Sequence, residues 1–224
     1  MPTVAAALLV ALTAWLGNWQ LDRANEKRAR QALFESRMHD NPLRLTGSVP
    51  SADPILYRHV RVSGTWMPQA QIYIDNQIHE GRAGFAVITP VAIEGASAAV
   101  LVNRGWVERS RAYPRPPEVA TPSGHADVSG LATRPPARFL ELGAGEAVTG
   151  NVWQNLSIER VARASGQALL PVVVLQEPAG QGLAPVREAP DAGVAKHVEY
   201  AFTWFALAAT AIALWLALNL KRRP

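Results

Sequence analysis

The sequence predicts a membrane protein of the α+β class, with two transmembrane helices flanking an antiparallel, β-rich domain, open or barrel-like, outside the cytoplasm. Three observations predict it. Residues 2–21 and 200–220 form two runs without a charged side chain. A helix of about 20 residues rises roughly 30 Å, the thickness of a bilayer's hydrocarbon layer. Between the runs, short β-prone stretches recur with Gly and Pro separating them. The second run closes on Lys221-Arg222-Arg223, as a stop-transfer segment does.

The partition that follows is residues 1–21 as a first transmembrane helix, 22–195 as an extracytoplasmic (periplasmic) domain opening on a juxtamembrane helix, 196–220 as a second transmembrane helix, and 221–224 as a cytoplasmic tail. A cleaved signal peptide is the rival reading of the first run. Trp15-Leu16-Gly17-Asn18-Trp19 puts bulky rings where a cleavage site requires small residues, and interfacial anchoring by Trp accounts for them better. The basic tail places both termini in the cytoplasm. Arg23, Lys27, Arg28 and Arg30 pull the other way, diluted by Asp22 and Glu26.

Within the domain, residues 22–38 lack Gly and Pro and continue the first helix out of the bilayer, ending near Asn41-Pro42. Strands are expected at 57–66, 71–75, 85–91, 99–107, 127–131 and 169–175. Val60 and Val62 alternate with Arg61 and Ser63, which predicts a sheet with one buried face and an antiparallel meander. Pro114, Pro116, Pro117 and Pro122 make 113–122 an extended exposed loop, and Pro135-Pro136 end the next strand. Residues 157–165 read as a short amphipathic helix with Gly166 as its stop. Residues 178–193, rich in Gly, Ala and Pro, read as a linker to the membrane.

Composition excludes several functions. The chain has no Cys, so it holds neither disulfides nor thiolate metal sites. A formal charge of +4, scattered without a basic stripe, argues against nucleic-acid binding. Gly95-Ala96-Ser97-Ala98-Ala99 lacks the second glycine of a nucleophile elbow. Gly143-Ala144-Gly145-Glu146 has the glycines of a phosphate loop but no lysine. His59, His79 and His125 are far apart and match no metal-ligand spacing. A membrane-anchored hydrolase would need a nucleophile beside a base, and no spacing supplies that pair. The chain is therefore expected not to be an enzyme.

His197 differs, because it stands at the mouth of the second span, where a titratable group is costly. Tyr200, Ala201, Trp204, Phe205 and Ala208 follow it at helical spacing. Two readings fit these residues. One is an axial imidazole ligand above an aromatic face that could stack on a tetrapyrrole. The other is an interfacial belt that anchors the helix at headgroup level.

Leu16-Gly17-Asn18-Trp19-Gln20-Leu21-Asp22-Arg23 and His197-Val198-Glu199-Tyr200-Ala201-Phe202-Thr203-Trp204-Phe205 resemble the membrane-flanking signatures of the Surfeit-locus-one (Shy-type) family of cytochrome c oxidase assembly factors. Tyr57-Arg58-His59-Val60-Arg61-Val62-Ser63-Gly64-Thr65-Trp66, Gly84-Phe85-Ala86-Val87-Ile88-Thr89-Pro90 and Val102-Asn103-Arg104-Gly105-Trp106-Val107 resemble its strand motifs in the same order. The resemblance implies a bacterial member that binds haem a for delivery to oxidase subunit I, with haem a synthase a further partner beside membrane lipid. It maps the family's ligand candidate, the axial metal ligand, onto His197. Tyr200, Trp204, Trp19 and Arg23 complete the implied cofactor-binding set, Arg23 as a partner for haem propionates. The plainer role for Arg23 is a solvated, snorkelling anchor. The competing expectation is a haem-independent scaffold that stabilises an oxidase assembly intermediate. With no Ser/Arg-rich leader ahead of the first span, a bacterial inner membrane is the expected home.

Overall fold

The computed structural model describes residues 2–47, 51–135, 150–187 and 193–220. The glycine loop at 143–146, the second proline of the 135–136 pair, the end of the 178–193 linker and the 221–224 tail lie wholly or partly outside the described residues. The chain divides into two compact units, one of residues 1–35 and 189–224 and the other of residues 36–188.

The first unit is a helix pair. Helix α1 runs unbroken over Pro2–Arg37 and contains both the first apolar run and its expected charged continuation. No Gly or Pro interrupts 22–37, so nothing there stops the helix. Helix α3 spans Val194–Asn219. Both are long and apolar enough to cross a membrane. Leu8, Leu12, Trp15, Leu214 and Leu218 are exposed, as side chains that face lipid are.

Three contacts show that the two helices lie antiparallel. Trp215 Nε1 donates to Thr3 Oγ1 at 3.3 Å, the Phe205 ring covers Gly17, and His197 meets Gln20. Position sums near 220 at all three points require opposite directions. Thr13, Gly17 and Ala24 of α1 and Ala201 and Ala208 of α3 are the buried residues, so small side chains set the contact. A Cβ at Gly17 would stand 2.7 Å from the Phe205 ring, so a larger residue there would have to displace that ring.

The second unit is a sheet that closes on itself. Its strands are β1 (Leu43–Arg44), β2 (His59–Trp66), β3 (Ile72–His79), β4 (Arg82–Ile93), β5 (Ala98–Glu108), β6 (His125–Thr133), β7 (Val152–Trp153) and β8 (Ala168–Gln176). The pairings β2–β6, β6–β8, β8–β5, β5–β4 and β4–β2 form a ring. The second half of β2 makes the closure, Gly64–Trp66 pairing with Val91–Ile93. At Gly64 a Cβ would lie 2.0 Å from the carbonyl oxygen of Ala92, so closure needs glycine there. Antiparallel pairs dominate and β3–β4–β5 is the expected meander, but β8 lies parallel to β5, which makes the sheet mixed.

Two apolar layers explain why residues 98–102 of β5 and 169–175 of β8 read as unbroken hydrophobic runs. Val100, Val102, Val172 and Val174 join Val60, Val62, Val91 and Val128 in one core cluster. Leu101 and Val173, on the alternate face, join Ile72, Ile88, Trp153 and Val161 in a second. Val161 belongs to helix α2 (Ile158–Ser165), which covers that face. Strands buried on both sides cannot alternate.

Helix α2 follows its sequence signals. Ser157 Oγ accepts from the Arg160 backbone N–H at 3.3 Å, Glu159 stands in the first turn, and Gly166 ends the helix at φ 67°. Replacing Ser157 with Ala should cost about 1 kcal/mol, read as a lower midpoint in thermal or denaturant unfolding.

Two expectations need correction. Residues 178–184 are not a free linker, because Gly180 N donates to Arg104 O at 2.6 Å and Ala184 bridges Trp106 in both directions at 2.8 Å. The segment satisfies backbone groups of β5 beyond Asn103, where its pairing with β8 ends and which a solvated linker would leave to water. Strand β3 continues past residue 75 to His79 through a register shift, with Asn76 at φ 58°. Asp75 fixes the irregularity, its Oδ1 accepting from Arg109 Nη2 at 2.7 Å and its Oδ2 from the Tyr113 hydroxyl at 3.0 Å. That hydrogen bond to the carboxylate holds the Tyr113 phenol above its ordinary pKa.

Candidate functional site in the helix pair

The apolar runs of the two helices and the turns beside them carry few polar side chains, and two of these meet. Gln20 closes the charge-free run of α1, and His197 stands in the first turn of α3. His197 Nδ1 lies 2.6 Å from Gln20 Oε1, with both side chains half-buried. The antiparallel packing sets this geometry, because the close approach at Gly17 and Ala201 brings the neighbouring turns within hydrogen-bond reach. A carbonyl oxygen only accepts, so in this pairing Nδ1 donates, and a neutral ring so held has its lone pair on Nε2.

The other predicted residues fall into two groups. Trp19 and Arg23 lie one turn apart on α1, the guanidinium carbon 5.7 Å from the indole centroid. Arg23 also pairs with Glu26 at 2.7 Å on an exposed face. Its charge is thus already partly answered, as expected of a solvated anchor. On α3, Tyr200 is 48% exposed and Trp204 is half-buried. The buried residues one and three turns below His197 are Ala201 and Ala208. Tyr200 and Phe202 instead give an exposed aromatic rim beside the histidine's turn.

His59 lies 3.6 Å from Glu177, and His79 packs on Trp106 with ring centroids 5.1 Å apart. Among the described residues, no three His, Asp or Glu side chains come together as a metal site. Imidazole coordination needs one uncommitted ring nitrogen, and Gln20 engages only Nδ1 of His197.

Gln20 is the site residue that sequence reasoning passed over. The available signal was the pair of amides, Asn18 and Gln20, at the end of an apolar span, where an unpaired polar group is costly. Its partner lies 177 residues away, a pairing no local pattern encodes.

Comparison with known proteins bears on the whole chain. The family model described as SURF1 family matches residues 7–209. Surfeit locus protein 1 of Homo sapiens is 27% identical over 247 aligned positions, covering 97% of this chain and 77% of the human one. The SURF1-like protein of Monosiga brevicollis is 24% identical over 232, covering 94% and 84%. The SURF1-like protein of Rickettsia bellii (strain RML369-C) is 26% identical over 213, covering 89% and 83%.

Proposed function

We propose, from the premise that this chain belongs to the SURF1 family of cytochrome c oxidase assembly factors, that it is a haem a carrier which holds its cargo on His197 and delivers it to oxidase subunit I. The observation that carries this reading is the Gln20–His197 contact at the rim of a lipid-facing helix pair. Structural histidines in apolar helices gain nothing from a lone pair left unused, whereas a ligand requires one.

The chain's own residues divide the work. His197 Nε2 supplies the ligand atom, and Gln20 fixes the ring's rotation and tautomer. The exposed rings of Tyr200 and Trp19, with the half-buried ring of Trp204, offer flat apolar surface for a macrocycle. Arg23 can exchange Glu26 for a propionate, since an exposed ion pair is worth only about 0–1 kcal/mol. One protein ligand at an open rim suits a carrier, which must release what it binds. In this reading the helices span a bacterial inner membrane, the intervening domain is periplasmic and docks on the oxidase, and haem a synthase hands over the cargo.

An absorption spectrum of the purified full chain tests the proposal. Membranes that co-express haem a synthesis should yield protein with a Soret band, and membranes lacking it should yield protein without one. Protein that co-purifies with oxidase subunits but never shows the band would be a haem-independent scaffold instead.

A further inference from the structure

We infer that the helix pair carries, at and just beyond its His197 end, a binding surface for anionic phospholipid headgroups formed by Arg28, Arg30 and Lys196. The inference does not depend on haem carriage.

Aromatic side chains mark the depth of this surface. Trp19, beside Gln20 on α1, and Tyr200, one turn from His197 on α3, are both exposed at the end where Gln20 and His197 meet. Exposed Trp and Tyr at the end of an apolar span sit at headgroup level. The charge-free run of α1 ends at Leu21, yet the helix continues unbroken to Arg37. At 1.5 Å per residue, Arg28 and Arg30 stand about 10 and 14 Å past Leu21, and any tilt shortens those heights. Lys196 neighbours His197, which meets Gln20, so it is level with the end of the run. The headgroup layer is roughly 5–8 Å deep, and charges act across about 8 Å more at physiological salt. All three cations therefore lie within reach of headgroup phosphates.

The protein itself does not answer these charges. Arg28, Arg30 and Lys196 are exposed, and among the described residues none has a carboxylate within 4.0 Å. Arg28 Nη1 donates at 3.0 Å to the amide oxygen of Asn25, a neutral acceptor. Arg23, by contrast, is paired with Glu26. Asp22 and Glu199 are exposed at the same end and oppose anionic lipid, but the three cations outnumber them. Basic residues beside a span ordinarily hold that end in the cytoplasm, and Lys221-Arg222-Arg223 follow the opposite end of α3 in sequence. Cations at both ends cannot both orient the chain. Those at the His197 end need another partner, and a layer of phosphates surrounds the pair at that depth.

Electron spin resonance on the full chain, reconstituted in phosphatidylcholine bilayers, tests this. The probes are spin-labelled phosphatidylglycerol and phosphatidylcholine with the same acyl chains, added one at a time. Phosphatidylglycerol should associate with the protein about fivefold more strongly, the worth of one basic residue near a charged lipid surface. At 1 M salt, where screening acts within about 3 Å, the ratio should fall below about twofold. The triple variant Arg28→Gln, Arg30→Gln, Lys196→Gln should lower it as far at low salt. Glutamine is a good helix former and the three sites are exposed, so helical circular dichroism should not change. A wild-type ratio near one, or a ratio that salt or the triple variant leaves undiminished, would overturn the inference. Loss of co-purifying oxidase subunits from the triple variant, with no lipid preference in the wild type, would assign the cations to an acidic protein and overturn it too.

Discussion

Alanine at His197 is expected to abolish the Soret band of protein purified from membranes making haem a, with bound haem falling more than about a hundredfold. Loss of an outer-shell partner to a ligand costs 10–100-fold, and loss of the ligand itself should exceed that. The substitution removes one half-buried ring in the first turn of α3, where few helix contacts depend on it. Helix packing continues through Gly17 against Phe205 and Thr3 against Trp215. The variant should therefore insert and fold, with unchanged far-ultraviolet circular dichroism. A variant with full haem content would remove His197 as the ligand, whatever the wild type binds. A variant that lacks haem but still supports oxidase assembly would leave the family function standing and separate it from haem carriage.

The sequence discloses this protein unevenly, for physical reasons. Both apolar helices are legible because a bilayer imposes length and composition on every residue of a span. Helix α2 is legible because its cap, its acidic first turn and its terminal glycine are local signals. The strand runs are legible as runs, but their partners are not. Nothing in residues 169–175 indicates that β8 lies parallel to β5 and antiparallel to β6, or that β2 returns to pair with β4 and close the ring. Those pairings join residues far apart in sequence, and periodicity encodes only which faces are buried.

The same contrast governs single residues. His197 stands out because one imidazole at the head of an apolar helix is costly to place. Arg104 and Gln71 do not, since each looks like a surface polar residue until the fold buries both. Asp75, read as a strand end, proves to be the anchor of a bulge because Arg109 and Tyr113 return to it from 34 and 38 residues away. The turn-like composition of Asp75-Asn76-Gln77 is real, but it is spent inside a strand rather than between two.

Leucine at Gln20 is expected to lower haem affinity by about 10–100-fold while the protein stays folded. Leucine fills a similar volume and suits lipid better than an amide, so stability should not fall. What disappears is the acceptor 2.6 Å from Nδ1. Without it the imidazole can place its hydrogen on either nitrogen and rotate about χ2, so only part of the population presents a lone pair from Nε2. Nitrogen-15 chemical shifts of His197 in the haem-free protein should show a single Nδ1–H tautomer in the wild type and a mixture in Gln20→Leu. Gln20→Glu supplies a side chain that can only accept while ionised, and should restore both the tautomer and most of the affinity. If the wild-type ring instead carries its hydrogen on Nε2, Gln20 is not the positioning residue, and His197 would have to reorganise before it could bind iron.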